Sequence, residues 1–441
     1  MLPDPDPLAG NPPPLDHSPL PRGLLPDGAE IGGGGRLSIA GVDILDLVAE
    51  VGTPVFVYDE EHLRRRCRQA VGAWSGGAAY ASKAFLCRAM ATLVHEEGMS
   101  IDVSTGGEMH VALAAGVPGE RLVLHGNNKS EAELARAVDA GVGRIVVDSL
   151  DEIDRLERVA AAAGRRPRVM LRVTPGIEAH THEYVMTGQD DSKFGFGLAS
   201  GGAAEAVARL RDRDCPVELT GVHAHIGSQI FSLDSFEKAV AALGDFFLPL
   251  DLPELCIGGG LGVAYVAGES APTIAEWAAA VREAAAAAGI GPEVLLSAEP
   301  GRAIVASAAI TCYTVGTIKH IPEVRTYVSV DGGMSDNPRP VLYGSGYEAF
   351  LPRAAGAVRP RTVTVVGKHC ESGDVIVRDA QLPDDLVVGD VLATPVTGAY
   401  GHSMASTYNK VPRAPVVFVR EGTSRVVVRR ETFDDLLSLD L

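Results

Sequence analysis

Between residues 78 and 299 the chain alternates, over and over, between a short apolar run and an Ala-rich amphipathic stretch. Runs at 78–82, 100–103, 121–125, 144–147, 168–173, 219–225, 254–257 and 294–299 read as strands. Stretches at 86–97, 108–115, 130–140, 150–163, 203–211, 235–247 and 274–288 read as helices. This rhythm demands parallel strands joined by helical crossovers. Eight units in about 250 residues fit an α/β fold of the (β/α)8 TIM-type barrel kind. A doubly wound open sheet has the same rhythm, and periodicity alone does not separate the two.

Outside that region the pattern changes. Residues 1–30 are a Pro-rich tail of polyproline character, and 31–48 are an N-terminal segment predicted to join a β domain. The run PVFVY at 54–58 reads as a strand and falls within the barrel domain, set at 49–303. Beyond 303 the helical period fades. Runs at 304–319, 326–331, 361–367, 391–394, 415–420 and 424–430 predict a mostly β C-terminal domain, sandwich- or barrel-like, over 304–441.

Composition narrows the class. The 441 residues carry 39 Lys+Arg against 57 Asp+Glu, a net charge of −18, which argues against a partner that is nucleic acid. No apolar run reaches the ~18 residues of a membrane span, and the N-terminal stretch has no apolar segment of signal type. The six cysteines, at 67, 87, 215, 256, 312 and 370, form no CxxC pair. That pattern points to a reducing cytoplasm rather than a disulfide scaffold.

In a barrel of this kind, chemistry sits where strands end. The first strand ends in Tyr80-Ala81-Ser82-Lys83-Ala84; Lys83 is either a loop lysine or an amine that forms a Schiff base. The sixth ends in His223-Ala224-His225-Ile226-Gly227-Ser228, where two histidines share a face. With no third ligand nearby, a metal is disfavoured, and Gly227-Ser228 could hold an anion instead. The seventh ends in Gly258, Gly259, Gly260, Leu261 and Gly262, a tight turn or a phosphate cradle. The eighth ends in Glu299-Pro300-Gly301-Arg302, an acid and a guanidinium on one turn. A reactive lysine, a glycine cradle and an acid for a ring nitrogen together are what pyridoxal 5'-phosphate needs.

The motifs YASKAF (80–85), DVSTGGEM (102–109), HGNNKS (125–130), SKFGF (192–196), HAHIGSQ (223–229), GGGLG (258–262), EPGR (299–302), DGGMSDNPRPVLY (331–343), KHCESGD (368–374) and GAYGHSMASTYN (398–409) stand in this order. With them the sequence resembles the barrel-type (fold-type III) pyridoxal-phosphate decarboxylases, and within these the meso-diaminopimelate decarboxylase family, from about residue 52 onward. The resemblance implies that Lys83 carries the cofactor and that His225 stacks on its ring. It implies Ser228, Gly258, Gly259, Gly260, Gly301 and Arg302 around the phosphate, Glu299 at the ring nitrogen, and Tyr408 reaching in from the β domain. Arg302, Arg339 and Tyr343 are implied to bind substrate carboxylate, Glu371 the distal ammonium, and Tyr400 and Tyr408 to line that pocket. Cys370 is implied as the proton donor, and with Glu371 it enters the neighbouring subunit's site, so a homodimer is implied. The chain departs from the family pattern at Pro338, Gly401, His402 and Thr407.

Diaminopimelate has two amino acid centres, so its unreacted end needs an anion site and a cation site; Arg339 and Glu371 can supply them. Decarboxylases of lysine or ornithine need only the acid. Those substrates and a non-catalytic relative are the alternatives; a racemase is disfavoured by the KHCESGD loop. Cys67, Cys87, Cys215, Cys256 and Cys312 read as structural, Asp102 as a structural hydrogen-bonding group, and His180 and His182 as loop histidines or part of a flap.

Overall fold

A computed structural model describes residues 18–177 and 192–441, so His180, His182 and the first 17 residues of the tail lie outside the described residues. Eight parallel strands form the larger body: β1 (Ala79–Ala81), β2 (Ser100–Val103), β3 (Leu122–Leu124), β4 (Arg144–Val147), β5 (Arg168–Thr174), β6 (Glu218–Ala224), β7 (Glu254–Cys256) and β8 (Leu295–Ser297). They pair strictly in chain order. A parallel bridge between Ala78 and Ala298 closes the ring, with the Ala79 amide donating to the Ala298 carbonyl at 2.9 Å. Sequential order with closure is a barrel; a doubly wound sheet would reverse direction at its middle and leave two edges. A two-residue strand, Phe196–Gly197, adds parallel to the end of β5.

The barrel strands are buried on both faces, as parallel strands under helices must be. Inside the ring Ala79, Val123, Val146, Met170 and Cys256 form their own small core. Outward residues such as Ile101, Leu122, Ile145 and Leu171 join the main core under the helices. Local signals fix the helix starts. Ser130 and Glu133 make a reciprocal cap on the helix Glu131–Asp139, and Thr273 with Glu276 do the same for Ile274–Ala287. The helix Glu60–Ala73, which the sequence reading did not assign, packs against Ile274–Ala287 ahead of β1. Trp74 and Trp277 meet edge-on there at 4.8 Å.

The second body is centred on the long strand β9 (Ala309–Ile321), with β10 (Arg325–Val330), β11 (Arg361–Val366), β12 (Val375–Leu382), β13 (Val391–Pro395), β14 (Val416–Arg420) and β15 (Thr423–Val428). One correction concerns the strand at 54–58. It is Val55–Asp59, and it lies in this sheet, antiparallel to β9 and parallel to β14, not in the barrel interval 49–303. All five of its residues are buried. A central strand of either sheet is apolar on both faces, so its composition does not reveal its partner. The segment 304–319 also begins differently: Arg302–Val305 is a short helix, and β9 starts only at Ala309. A three-stranded sheet of Ala29–Ile31, Leu37–Ile39 and Val42–Asp43 meets the second body where the Ala355 amide donates to the Gly35 carbonyl.

Candidate active site

The C-terminal ends of the barrel strands enclose a cavity of about 340 Å³. Lys83 stands in a single 3-10 turn, Ser82–Ala84, straight after β1, and its side chain opens into this space. That turn is pinned from the second body: the Tyr400 amide and the Ser403 hydroxyl both donate to the Ala84 carbonyl, at 2.8 and 3.0 Å.

Glu299 follows β8, and its amide donates to the Gly258 carbonyl at 2.7 Å. Its carboxylate is clamped between two buried imidazoles: His125 Nε2 lies 2.8 Å from Oε1 and His223 Nε2 lies 2.9 Å from Oε2. Burial opposes the charge, but these two imidazoles hold the Glu299 carboxyl well below the usual carboxylate range. Burial lowers the His125 imidazole, yet Asp102 and Glu299 outweigh it and raise it overall; burial pushes His223 down. Asp102, 3.8 Å from His125, is pushed up to about 6 by burial. Ligand atoms of His125, His223 and Glu299 lie within 4.8 Å of one another. At 2.8 and 2.9 Å the two imidazole nitrogens lie at hydrogen-bonding distance from the carboxylate oxygens.

Beside the acid lies the glycine turn. Gly258 and Gly260 take φ of +68° and +110°, where side chains are strained. A Cβ on Gly259 would fall 2.4 Å from the Glu299 carbonyl oxygen. The Gly259 amide donates to His225 Nδ1 at 3.1 Å, which fixes that ring at the cavity wall. Arg302 is buried, and its Nη2 donates to the Ser228 hydroxyl at 3.0 Å while its Nε has no hydrogen-bond partner among the described residues. A bare backbone turn, a buried guanidinium with a spare donor, a buried carboxylate and a lysine in one cavity fit pyridoxal phosphate: anion sites for its phosphate, an acid for its ring nitrogen, an amine for its aldehyde.

Of the residues singled out in the sequence, Lys83, His225, Ser228, Gly259, Gly260, Glu299, Gly301, Arg302 and Tyr400 line the cavity, with Gly258 in the same turn. Arg339 does not. It starts the short helix Arg339–Tyr343 and is buried behind Tyr265, its Cζ 4.2 Å from that ring and its Nη1 donating to the Tyr347 hydroxyl at 2.7 Å. Tyr343 is half-buried at the end of that helix and is not in the cavity wall. Cys370 and Glu371 are exposed on the second body, and Tyr408 is 41% exposed, its ring 5.4 Å from that of His369. The other five cysteines are buried.

Sequence reasoning missed the partners rather than the acid. His223 was noticed as half of a metal-like pair and Asp102 as structural, but neither they nor His125 were tied to Glu299. Arg172, which reaches the cavity from β5 with its Cζ 4.4 Å from the Phe194 ring, was also missed, as were Tyr265 and Tyr347. The HGNNKS and SKFGF motifs were the available signal for His125 and Phe194; Tyr265 and Tyr347 have none.

A closed parallel barrel with this constellation at its strand ends, joined to a β domain, defines a class: barrel enzymes built around pyridoxal phosphate. Residues 60–306 match the family described as pyridoxal-dependent decarboxylase, pyridoxal binding domain. The chain is 48% identical over 427 residues to the diaminopimelate decarboxylase of Mycobacterium tuberculosis, covering 92% of this chain and 95% of that protein. It is 45% identical over 426 residues to the one from Bacillus subtilis, covering 92% and 95%. Among solved structures, diaminopimelate decarboxylase from M. jannaschii in complex with L-lysine superposes with a TM-score of 0.87 at 32% identity, covering 94% of this chain and 98% of that one. The Helicobacter pylori enzyme complexed with L-lysine gives 0.82 at 30% identity, covering 90% and 98%. The chain therefore belongs to the diaminopimelate decarboxylase family of pyridoxal-dependent decarboxylases.

Proposed function

We propose that this chain decarboxylates meso-2,6-diaminopimelate to L-lysine and CO2, the last step of lysine synthesis, in the cytoplasm and as a homodimer with shared active sites. One observation carries the reading. The cavity that holds Lys83 and the clamped Glu299 is walled by Arg302, and Arg339 is buried behind it, with neither arginine paired to a carboxylate among the described residues. With Arg302 also serving the phosphate, Arg339 is left for a carboxylate at the unreacted centre, which diaminopimelate carries and which lysine and ornithine lack.

Bound in this cavity, pyridoxal phosphate supplies an electron-poor ring that takes up the electron pair left when CO2 departs. The protein does the rest. Lys83 Nζ would hold the cofactor and give way to the substrate amine. Glu299 would keep a proton on the ring nitrogen, its own charge maintained by His125 and His223. Ser228, Arg302, Gly301 and the amides of Gly258, Gly259 and Gly260 would bind the phosphate, and His225 would brace the ring. A proton from Cys370 Sγ then replaces the lost CO2 on carbon. Arg302, Arg339 and Tyr343 take the carboxylate of the unreacted centre, Glu371 its ammonium, and Tyr400 and Tyr408 line that end. Cys370 and Glu371 are exposed and outside the cavity of their own chain, which supports their delivery by a second copy. No helix among the described residues is long and apolar enough to cross a membrane.

The test is CO2 release from holoenzyme offered meso-diaminopimelate, L- and D-lysine, and L- and D-ornithine, with Lys83→Ala and Arg339→Ala alongside. Turnover of diaminopimelate alone is expected, falling at least about 1,000-fold in Lys83→Ala. Turnover of lysine or ornithine in preference to it would overturn the substrate assignment.

A further inference from the structure

We infer that Tyr265 is a positioning residue that holds Arg302 at the cavity wall and Arg339 behind it at a fixed spacing without neutralising them, and thereby sets the preference for a substrate carrying a second carboxylate. The inference rests on the substrate reading above. Tyr265 lies in the loop after β7 and is 3% exposed. Its hydroxyl accepts from Arg302 Nη1 at 2.7 Å, and its ring face carries Arg339 with Cζ at 4.2 Å. Tyr347 braces the arrangement. It meets Tyr265 edge-on at 5.3 Å and accepts from Arg339 Nη1 at 2.7 Å. Tyr400 adds a face to Arg302, with Cζ at 4.8 Å.

The chemistry explains why phenols stand here. Two buried cations repel each other and each demands partners. A carboxylate between them would satisfy both and cancel the charge needed to attract an anion. A phenol offers an acceptor oxygen at one end and a negative π face on its ring, and it stays neutral. An aliphatic residue would leave an Arg302 N–H unsatisfied and let the two guanidiniums drift apart. Tyr265 touches both arginines, so it couples the one that lines the cavity to the one behind.

The test compares Tyr265→Leu and Tyr265→Phe holoenzymes with wild type. It measures kcat and KM for meso-diaminopimelate, and competition by L-lysine, which has a carboxylate on its amino acid centre, and by 1,5-diaminopentane, which has none. Tyr265→Leu is expected to raise KM about tenfold or more with kcat within about threefold. It should weaken L-lysine by a similar factor and leave 1,5-diaminopentane within about twofold. Tyr265→Phe keeps the face for Arg339 and should fall between Leu and wild type. Equal weakening of both competitors, or lost kcat at unchanged KM, overturns the inference. If Tyr265→Leu does not fold, the Phe variant decides by the same contrast between L-lysine and the diamine. Wild-type enzyme that ignores diaminopimelate overturns the substrate reading and the inference with it, an outcome distinct from an active wild type with indifferent variants.

Discussion

Glu299 keeps its charge inside a protein wall because two imidazoles share it, whereas burial makes neighbouring Asp102 the group that yields. Asp102 is displaced from 3.8 to about 6, so it is a better base folded than unfolded. The stability tied to its bound proton is fully present below about pH 4 and is lost as pH rises through about 6. Asp102→Asn mimics the protonated form. In cofactor-free protein it should flatten that decline and leave the variant more stable at pH 7 than wild type. Urea unfolding at pH 4, 5, 6 and 7 reads this directly; parallel curves would sink it. The strand-end residues were legible in the sequence because each sits in a short motif beside its own strand. The clamp on Glu299 was not, because His125, His223 and Glu299 come from β3, β6 and β8 and meet only when the barrel closes.

At the scale of elements, the loop that carries His125 hangs on one buried ion pair. Lys129 Nζ donates to the carbonyls of Gly126 and Val146 at 2.6 and 2.7 Å and to Glu152 Oε1 at 2.7 Å, and both side chains are almost wholly buried. Lys129 thus ties the loop after β3 to the end of β4 and to the helix Leu150–Ala163. Removing one partner strands the other's charge, which costs about 3–5 kcal/mol. Lys129→Met should lower stability by that order in denaturant titration, and Lys129→Met with Glu152→Leu should recover much of it; a double variant no better than the single would argue against the pair. Alternation and caps made the barrel helices readable. The helix Glu60–Ala73 was not, since EEHLRRRCRQAVGA is dominated by charge, and its buried stripe of His62, Leu63, Cys67 and Ala70 is thin. The side of the molecule to which Val55–Asp59 belongs depends on partners about 250 and about 360 residues away, which no local pattern encodes.

For the whole molecule, the proposed dimer has a consequence that mixing can read. Lys83→Ala removes the amine in the cavity and Cys370→Ala removes the proposed donor from the surface of the second body. If the two belong to one site built from two chains, each variant alone is nearly inactive. Equal mixtures, allowed to exchange subunits, should recover about a quarter of wild-type activity, because half of the random dimers are mixed and each has one intact site. Recovery of nothing, with exchange verified, would place Cys370 in its own chain's site, and a Cys370→Ala variant that is active by itself would place it outside the chemistry.

The strand Val55–Asp59 also says something about time. Tyr58 is paired with Ala309 and Val55 with Cys312, so the chain leaves the second sheet, builds the whole barrel, and returns to the strand beside the one it left. The centre of that sheet is therefore the closure of a loop about 250 residues long, whose entropy must be met before its contacts can help. The barrel, whose strands pair with sequence neighbours, is placed to collapse first and bring the two ends together. Assembly would then run from the inserted body outward, and the second sheet, with whatever it contributes to catalysis, would be the last part of the molecule to become native.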